Sequence, residues 1–228
     1  METSEVKCRK ATRDDIPFIV ETIIQAERSG TNMISYQKVF NLSDDQLREF
    51  LMHMLNDETP HHDFTFTSYY LAEYQGRIVG ALAGFIEEGD EIPSKIIKGN
   101  LMAKHFGIEA WKNAADKLRL LSSIEIDRTP GTLQLEYGFV LPGLKAKGVM
   151  SSLHSFIMKE MKLKYPKLKI AECQTSIDNE ALKKLYRFGW VDFKTVNAES
   201  DEILKYASSK HRIARRYFFD QDAYKLKS

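Results

Sequence analysis

Two cysteines, Cys8 and Cys173, are all that this 228-residue chain contains, and they lie far apart. Two lone thiols build no disulfide scaffold and point to a reducing, cytoplasmic setting. Net charge is nearly missing too: 33 basic against 32 acidic residues leave +1. No general attraction to nucleic acid or to an anionic membrane is therefore expected. No apolar run approaches the about 20 residues of a membrane span, and the start METSEVKCRK lacks a signal-peptide h-region. Repeats, low-complexity tracts and Pro/Ser/Gly linkers are also absent. Residues 1–228 are expected to form one domain, with 43% hydrophobic content sufficient for a full core. Neither G-x-G-x-x-G nor G-x-x-x-x-G-K-[ST] occurs, which argues against dinucleotide and P-loop sites. His61-His62-Asp63 reads as a solvated stretch of polar loop, and no second cluster has ligand spacing, so no metal is expected.

What is present concentrates between Leu133 and Leu163. Leu133, Leu135, Tyr137 and Phe139 alternate with Gln134, Glu136, Gly138 and Val140, the period-2 pattern of a strand that Pro142 ends. Val149, Met150, Leu153, Phe156, Ile157 and Met161 then follow helical spacing. The loop Gly143-Leu-Lys-Ala-Lys-Gly148 runs straight into that helix. Unpaired amides, the positive end of a helix dipole and two lysines converge there, an arrangement suited to a phosphate. A second block follows: a strand at Ile170–Ser176, then Asp178 capping a helix from about Asn179 to Phe188, with Gly189 as its stop. Asn179 and Tyr186, seven residues apart, would share one side of it.

The two blocks resemble the GNAT superfamily of acyl-CoA-dependent N-acetyltransferases. Val140-Leu141-Pro142 matches that family's strand end, Lys145 stands at its Arg/Gln position and Gly148 at its first glycine. Met150 stands where Gly or Ala is preferred, putting bulk where backbone should approach the pyrophosphate, and Lys145 lacks the bidentate fork of arginine. Asn179, Ala181 one place early, Leu185, Tyr186, Gly189 and Trp190 match the family's second motif.

The resemblance implies a mixed α/β fold: a central, mostly antiparallel, splayed sheet flanked by helices. The rest of the chain agrees with it. Lys7–Ala11 reads as a first strand, and Thr12 with Asp15 caps a helix facing inward through Ile16, Ile19, Val20, Ile23 and Ile24. Ser43 and Gln46 cap a second helix, and Ser68–Tyr74 with Ile78–Ile86 form a hairpin across Gln75-Gly76-Arg77. Residues of about 90–128 are a helical insertion, with helices at Ser94–Phe106 and Ala110–Ser123 separated by Gly107. This segment either shapes the acceptor pocket, forms a dimer contact, or simply covers core. His154 reads as a packed or surface residue, and Lys210–Arg216 as a late strand with arginines at its edges.

The function implied is transfer of an acetyl or acyl group from acetyl-CoA to a primary amine, of a small molecule, an amino acid or a peptide. A non-catalytic acyl-CoA-binding or partner-binding module on the same fold is the alternative. The main chain of Phe139 and Val140 would bind the pantetheine arm and polarise the thioester. Amides of Lys145, Ala146, Lys147, Gly148, Val149, Met150 and Ser151 would hold the pyrophosphate, and Asn179 the arm or a nearby phosphate. Tyr186 would protonate the departing sulfur. Glu136, on the polar parity of a central strand beside the cleft, is the candidate base, with Tyr137, Glu125 and Asp127 in reserve. Glu27 to Tyr36, His53 to Phe66 and the insertion are expected to line the acceptor pocket.

Overall fold

A computed structural model describes residues 6–28, 31–144, 147–177, 179 and 185–220. Strand β1 (Lys7–Lys10) leads into a turn where Asp15 Oδ2 accepts from Thr12 N–H at 2.7 Å, the expected capping box, and α1 (Ile16–Arg28) follows. Its five isoleucine and valine positions at helical spacing are all buried. The short α2 (Ser35–Phe40) shows no periodic stripe in the sequence. Helix α3 (Asp44–Asn56) begins at Ser43, whose Oγ accepts from Gln46 N–H while Gln46 Oε1 accepts from Ser43 N–H. Strands β2 (Tyr69–Tyr74) and β3 (Arg77–Ile86) form the expected hairpin, with Gln75 and Gly76 at φ 52° and 73°, as a type I′ turn requires. The insertion is one kinked helix, α4 (Ser94–Ser122); Gly107, at φ 78°, divides it where the sequence separates two helices.

Strand β4 (Leu133–Val140), helix α5 (Val149–Lys164) and strands β5 (Ile170–Ser176), β6 (Val191–Asn197) and β7 (His211–Phe218) complete the chain. The sheet order is β1-β2-β3-β4-β5-β7-β6, antiparallel throughout except for the parallel pair β4–β5. This is the mixed, mostly antiparallel sheet that the resemblance implies. One face packs on α5 through Leu133, Leu135, Val149, Leu153 and Ile157. The other packs on α1 and α3, with Met102 of α4 joining that core. No helix among the described residues is long and apolar enough to cross a membrane.

Two features of the sheet depart from simple alternation. In the pairing of β3 with β4, Ala81 faces Phe139 and Ala83 faces Glu136, so Tyr137 and Gly138 together oppose Leu82. Tyr137 takes φ 48° at this bulge. The extra residue resets the parity: Val140 joins Leu133 and Leu135 on the α5 face, while Tyr137 packs with the α1–α3 core. The expected shared face of Leu133, Leu135, Tyr137 and Phe139 is corrected accordingly. The second departure concerns β7, which lies between β5 and β6. Its arginines are therefore not at an edge; Arg215 is buried and its Nε donates to Asp192 Oδ1 at 2.9 Å.

Strands β4 and β5 pair only through Leu133–Leu135 and Ala171–Cys173. That junction is held by Glu172, 2% exposed. Its carboxylate accepts from Thr129 N–H at 3.1 Å, Thr129 Oγ1 at 2.7 Å, Gln134 Nε2 at 3.0 Å and Arg216 Nε at 2.8 Å. Burial alone would raise this carboxyl, but the hydrogen bonds from Gln134, Thr129 and Arg216 outweigh it and hold the group below the usual glutamate range. Glu172→Gln should cost about 1–3 kcal/mol at pH 7, measured by urea unfolding. A lowered folded-state value contributes stability that is present above the unfolded value of about 4.3 and is lost as pH falls from there through the folded-state value. The gap between wild type and E172Q should therefore narrow from about pH 5 towards pH 3; a constant gap would refute the assignment.

Candidate active site

Beyond Leu135, β4 pairs with β3 alone, so its main chain on the β5 side is left as an open edge among the described residues. Phe139 and Val140 lie on that single-sided stretch, opposite Ala81 and Gly80. Leu141 N–H still donates to Val79 O at 2.9 Å before Pro142 ends the strand. Lys145 and Ala146 lie outside the described residues. Lys147 N–H donates to Leu144 O, and Gly148 then heads α5 at φ 75° and ψ 9°. Only glycine takes this left-handed conformation without penalty, and a Cβ there would meet nothing within 4 Å, so the turn is open. Gly148 O accepts from Ser152 N–H at 2.9 Å, leaving the amides of Val149, Met150 and Ser151 at the positive end of the helix.

Val149 is buried in the core and Ser151 is exposed. Met150 is half-buried over β4: a Cβ on Gly138 would stand 3.1 Å from Met150 Cε and 3.2 Å from Leu82 Cδ1. The missing side chain of Gly138 thus accommodates the bulk of Met150. An open strand edge offers N–H and C=O groups to an amide-bearing arm, and the α5 amides offer donors to phosphate. Those residues fit the pantetheine and pyrophosphate of a coenzyme A thioester.

Much of the second block lies outside the described residues. Asn179 lies outside any helix among the described residues; its N–H donates to Ser176 O at 3.1 Å and its Nδ2 to Thr175 Oγ1 at 3.1 Å. Asp178, Ala181 and Leu182 fall outside the described residues. Residues 185–188 form a 3-10 turn that Gly189, at φ 82°, closes. Asn179 and Tyr186 are therefore not displayed on one continuous described helix. Tyr186 is exposed, donates from its hydroxyl to Asp192 Oδ1 at 2.6 Å and accepts from Arg215 Nη2 at 2.9 Å. The hydrogen bond to Asp192 raises its pKa, which keeps the phenol protonated.

Glu136 belongs to a different network. Its Oε1 accepts from Arg128 Nη2 at 2.9 Å. Arg128 also approaches Asp63 Oδ2 at 3.8 Å, and Lys98 Nζ donates to that same oxygen at 2.9 Å. Burial raises the Glu136 carboxyl above the ordinary range, with Arg128 opposing the rise. Asp63 goes the other way: burial would raise it, but Lys98 and Arg128 lower it to about 2. Around them stand aromatic rings, with Tyr36 5.3 Å and Tyr137 5.9 Å from Phe64, and Lys98 over the Phe64 face at 4.9 Å. Tyr137 Oη donates to Glu27 Oε1 at 3.2 Å. Segments expected to line an acceptor pocket thus do meet beside Glu136.

One assignment changes, and the other candidates find their places. His62 and Asp63 are buried, not solvated, because Lys98 and Arg128 compensate the Asp63 charge. His62 Nδ1 accepts from Phe64 N–H at 3.0 Å, and burial lowers its pKa to about 4. Sequence patterning passes over Lys98 and Arg128, since a lone basic residue in a helix or loop carries no signal of burial. The reserve acids Glu125 and Asp127 are exposed, Asp127 pairing with Lys95 at 2.7 Å. His154 is packed: its Nε2 accepts from Trp190 Nε1 at 3.2 Å and burial lowers its pKa to about 4. Cys173 is buried and pairs with Arg215 across β5 and β7. Among the described residues no three His, Cys, Asp or Glu side chains gather to hold a metal ion.

No protein-family model matches the chain, and no curated protein does. Solved structures do. A crystal structure of an acetyltransferase is 18% identical, with 93% of this chain and 98% of that one covered at a TM-score of 0.62. The Drosophila melanogaster polyamine N-acetyltransferase, described as catalysing formation of N-acetylagmatine, is 14% identical over 94% of this chain and 98% of its own, at 0.51. An acetyltransferase of the GNAT family from Streptococcus pneumoniae is 13% identical over 94% and 99%, at 0.50. At these identities the likeness is one of fold, and the fold is that of GNAT acetyltransferases. Gly138→Val should destabilise the protein by about 1–3 kcal/mol through overpacking. Adding Met150→Ala should return part of that loss, and a double-mutant cycle in thermal unfolding checks it; strict additivity would separate the two residues.

Proposed function

We propose that this chain is an N-acyltransferase that moves an acetyl group from acetyl-CoA to a primary amine by direct attack, both substrates being held together. The observation that carries the reading is the open edge of β4 from Glu136 to Val140, facing the N-terminus of α5. Bound there, the coenzyme supplies an activated acyl thioester. The main chain of Phe139 and Val140 binds its arm and donates to the carbonyl oxygen as charge develops. Amides of Lys147 to Ser151, with Lys145 and Ala146, take the pyrophosphate, and Asn179 stands near the arm.

An amine is mostly protonated at neutral pH and must lose a proton before attack. Glu136 is the base: buried enough to be more basic than an exposed glutamate, it can receive that proton directly or through water. Tyr186, held protonated by Asp192, donates to the sulfur. The carboxylates of Glu27 and Glu136 beside the rings of Tyr36, Phe64 and Tyr137 suit a cationic amine, the kind of acceptor named for the Drosophila structure.

Thiol release from acetyl-CoA across a panel of amines tests this, with acetyl-CoA affinity measured by calorimetry. Glu136→Gln should lower kcat/KM by about 10²–10⁴ at unchanged acetyl-CoA affinity. Tyr186→Phe should lower turnover, again without changing affinity. Tight coenzyme binding with no turnover on any amine would favour a non-catalytic binding module.

A further inference from the structure

Arg128 is a guanidinium that joins Glu136 and Asp63 beside β4, and it is itself held by the insertion. Its Nη2 donates to Glu136 Oε1 at 2.9 Å, and its Nη1 donates to Ser94 Oγ, in the first turn of α4, at 2.8 Å. Ser94 is wholly buried; its Oγ donates to Glu87 Oε2 at 2.6 Å and its N–H to Glu87 Oε1 at 2.9 Å. One turn along α4, Lys98 holds the Asp63 carboxylate that approaches Arg128 from the other side. Glu136 keeps 13% of its side-chain surface, Arg128 16% and Asp63 1%. The chain Glu87–Ser94–Arg128–Glu136 therefore runs from a closed interior to a carboxylate that solvent still reaches.

We propose that the insertion is part of the acyl-transfer site: Ser94 fixes Arg128, and Arg128 is a positioning residue that orients Glu136 and keeps it ionised as the base. The inference rests on the acyltransferase reading above, in which Glu136 takes the amine proton. A guanidinium presents two nitrogens in a fixed plane, so binding Ser94 with one sets where the other meets the carboxylate. The charged groups facing Glu136 are Arg128 from the segment before β4, Asp63 from the segment before β2, and Lys98 from α4. Tyr69 on β2, Tyr137 beside it and Cys173 on β5 complete the titratable surroundings. Burial and Asp63 disfavour the anion, and Arg128 and Lys98 favour it. Removing Arg128 leaves a more readily protonated base, which becomes active only at higher pH.

The test is the pH dependence of kcat/KM for amine acetylation by the full-length wild type and by Arg128→Gln, Arg128→Lys, Ser94→Ala and Glu136→Gln, with folding followed by thermal unfolding. Arg128→Gln should move the acid limb upward by about 1–3 pH units, the usual effect of losing a close opposite charge. Arg128→Lys should return part of the shift, and Ser94→Ala should move the limb the same way by less. Should Arg128→Gln fail to fold, Ser94→Ala, which retains the guanidinium, carries the test. An unmoved limb in Ser94→Ala and in every folded Arg128 variant, with the limb abolished in Glu136→Gln, would overturn the proposal and leave Glu136 as the base. An acid limb that persists in Glu136→Gln would overturn the base assignment and the proposal together.

Discussion

Glu172 stands where the sheet's two parallel strands are joined, and four donors from three separate segments end on its carboxylate. Thr129 and Gln134 come from the approach to β4 and from β4 itself, and Arg216 comes from β7. A carboxylate buried this deeply is tolerable only with its lone pairs satisfied. These contacts fasten β4 to β5 at one end over three residue pairs, and beyond them nothing comparable holds the strands together among the described residues. Twisted strands fastened at one end separate at the other. The opening between them follows from where the clamp sits.

Everything proposed for the site is arranged around that opening. Helix α5 lies against β2, β3 and β4, and its N-terminal amides arrive at the open end. The bulge at Tyr137 and Gly138 turns Tyr137 towards Glu27 and Phe64, and makes room for Met150 over the glycine. On one side lies the Glu136–Arg128–Asp63–Lys98 network; on the other lies Tyr186 with Asp192 and Arg215. In the proposal, two separate hydrogen-bond networks hold a proton acceptor and a proton donor in different electrostatic settings, as acyl transfer to an amine requires. Helix α4 covers the α2–α3 side, stacking Phe106 on Phe40 at 4.2 Å, and brings Ser94 and Lys98 to the acids. In the proposal, covering core and building the site are thus one task for this segment.

Local chemistry made much of this legible in advance. Thr12 with Asp15 and Ser43 with Gln46 announce helix starts because a cap is satisfied within four residues. Isoleucines at Ile16, Ile19, Ile23 and Ile24 announce the buried face of α1 because helical periodicity is a property of neighbours. Gly148 marks the turn into α5, and Gly107 marks the break in α4. Residues whose state depends on distant partners were not legible. His62 and Asp63 read as solvated because nothing nearby in the chain reveals Lys98, 35 residues on from Asp63, or Arg128 beyond it. Tyr137 read as sharing a face with Leu133 and Leu135 because a bulge depends on the register of the strand opposite.

The sequence by itself therefore determined the strands and most of the helices, their caps and turns, and the glycine-led helix start suited to phosphate, since each is written in residues a few positions apart. The tertiary structure alone decided where β4 and β5 part, that a guanidinium faces Glu136, and that Tyr186 meets Asp192 and Arg215. Those outcomes rest on how separate elements pack together, where burial sets the cost of a charge and a partner from another element must meet it.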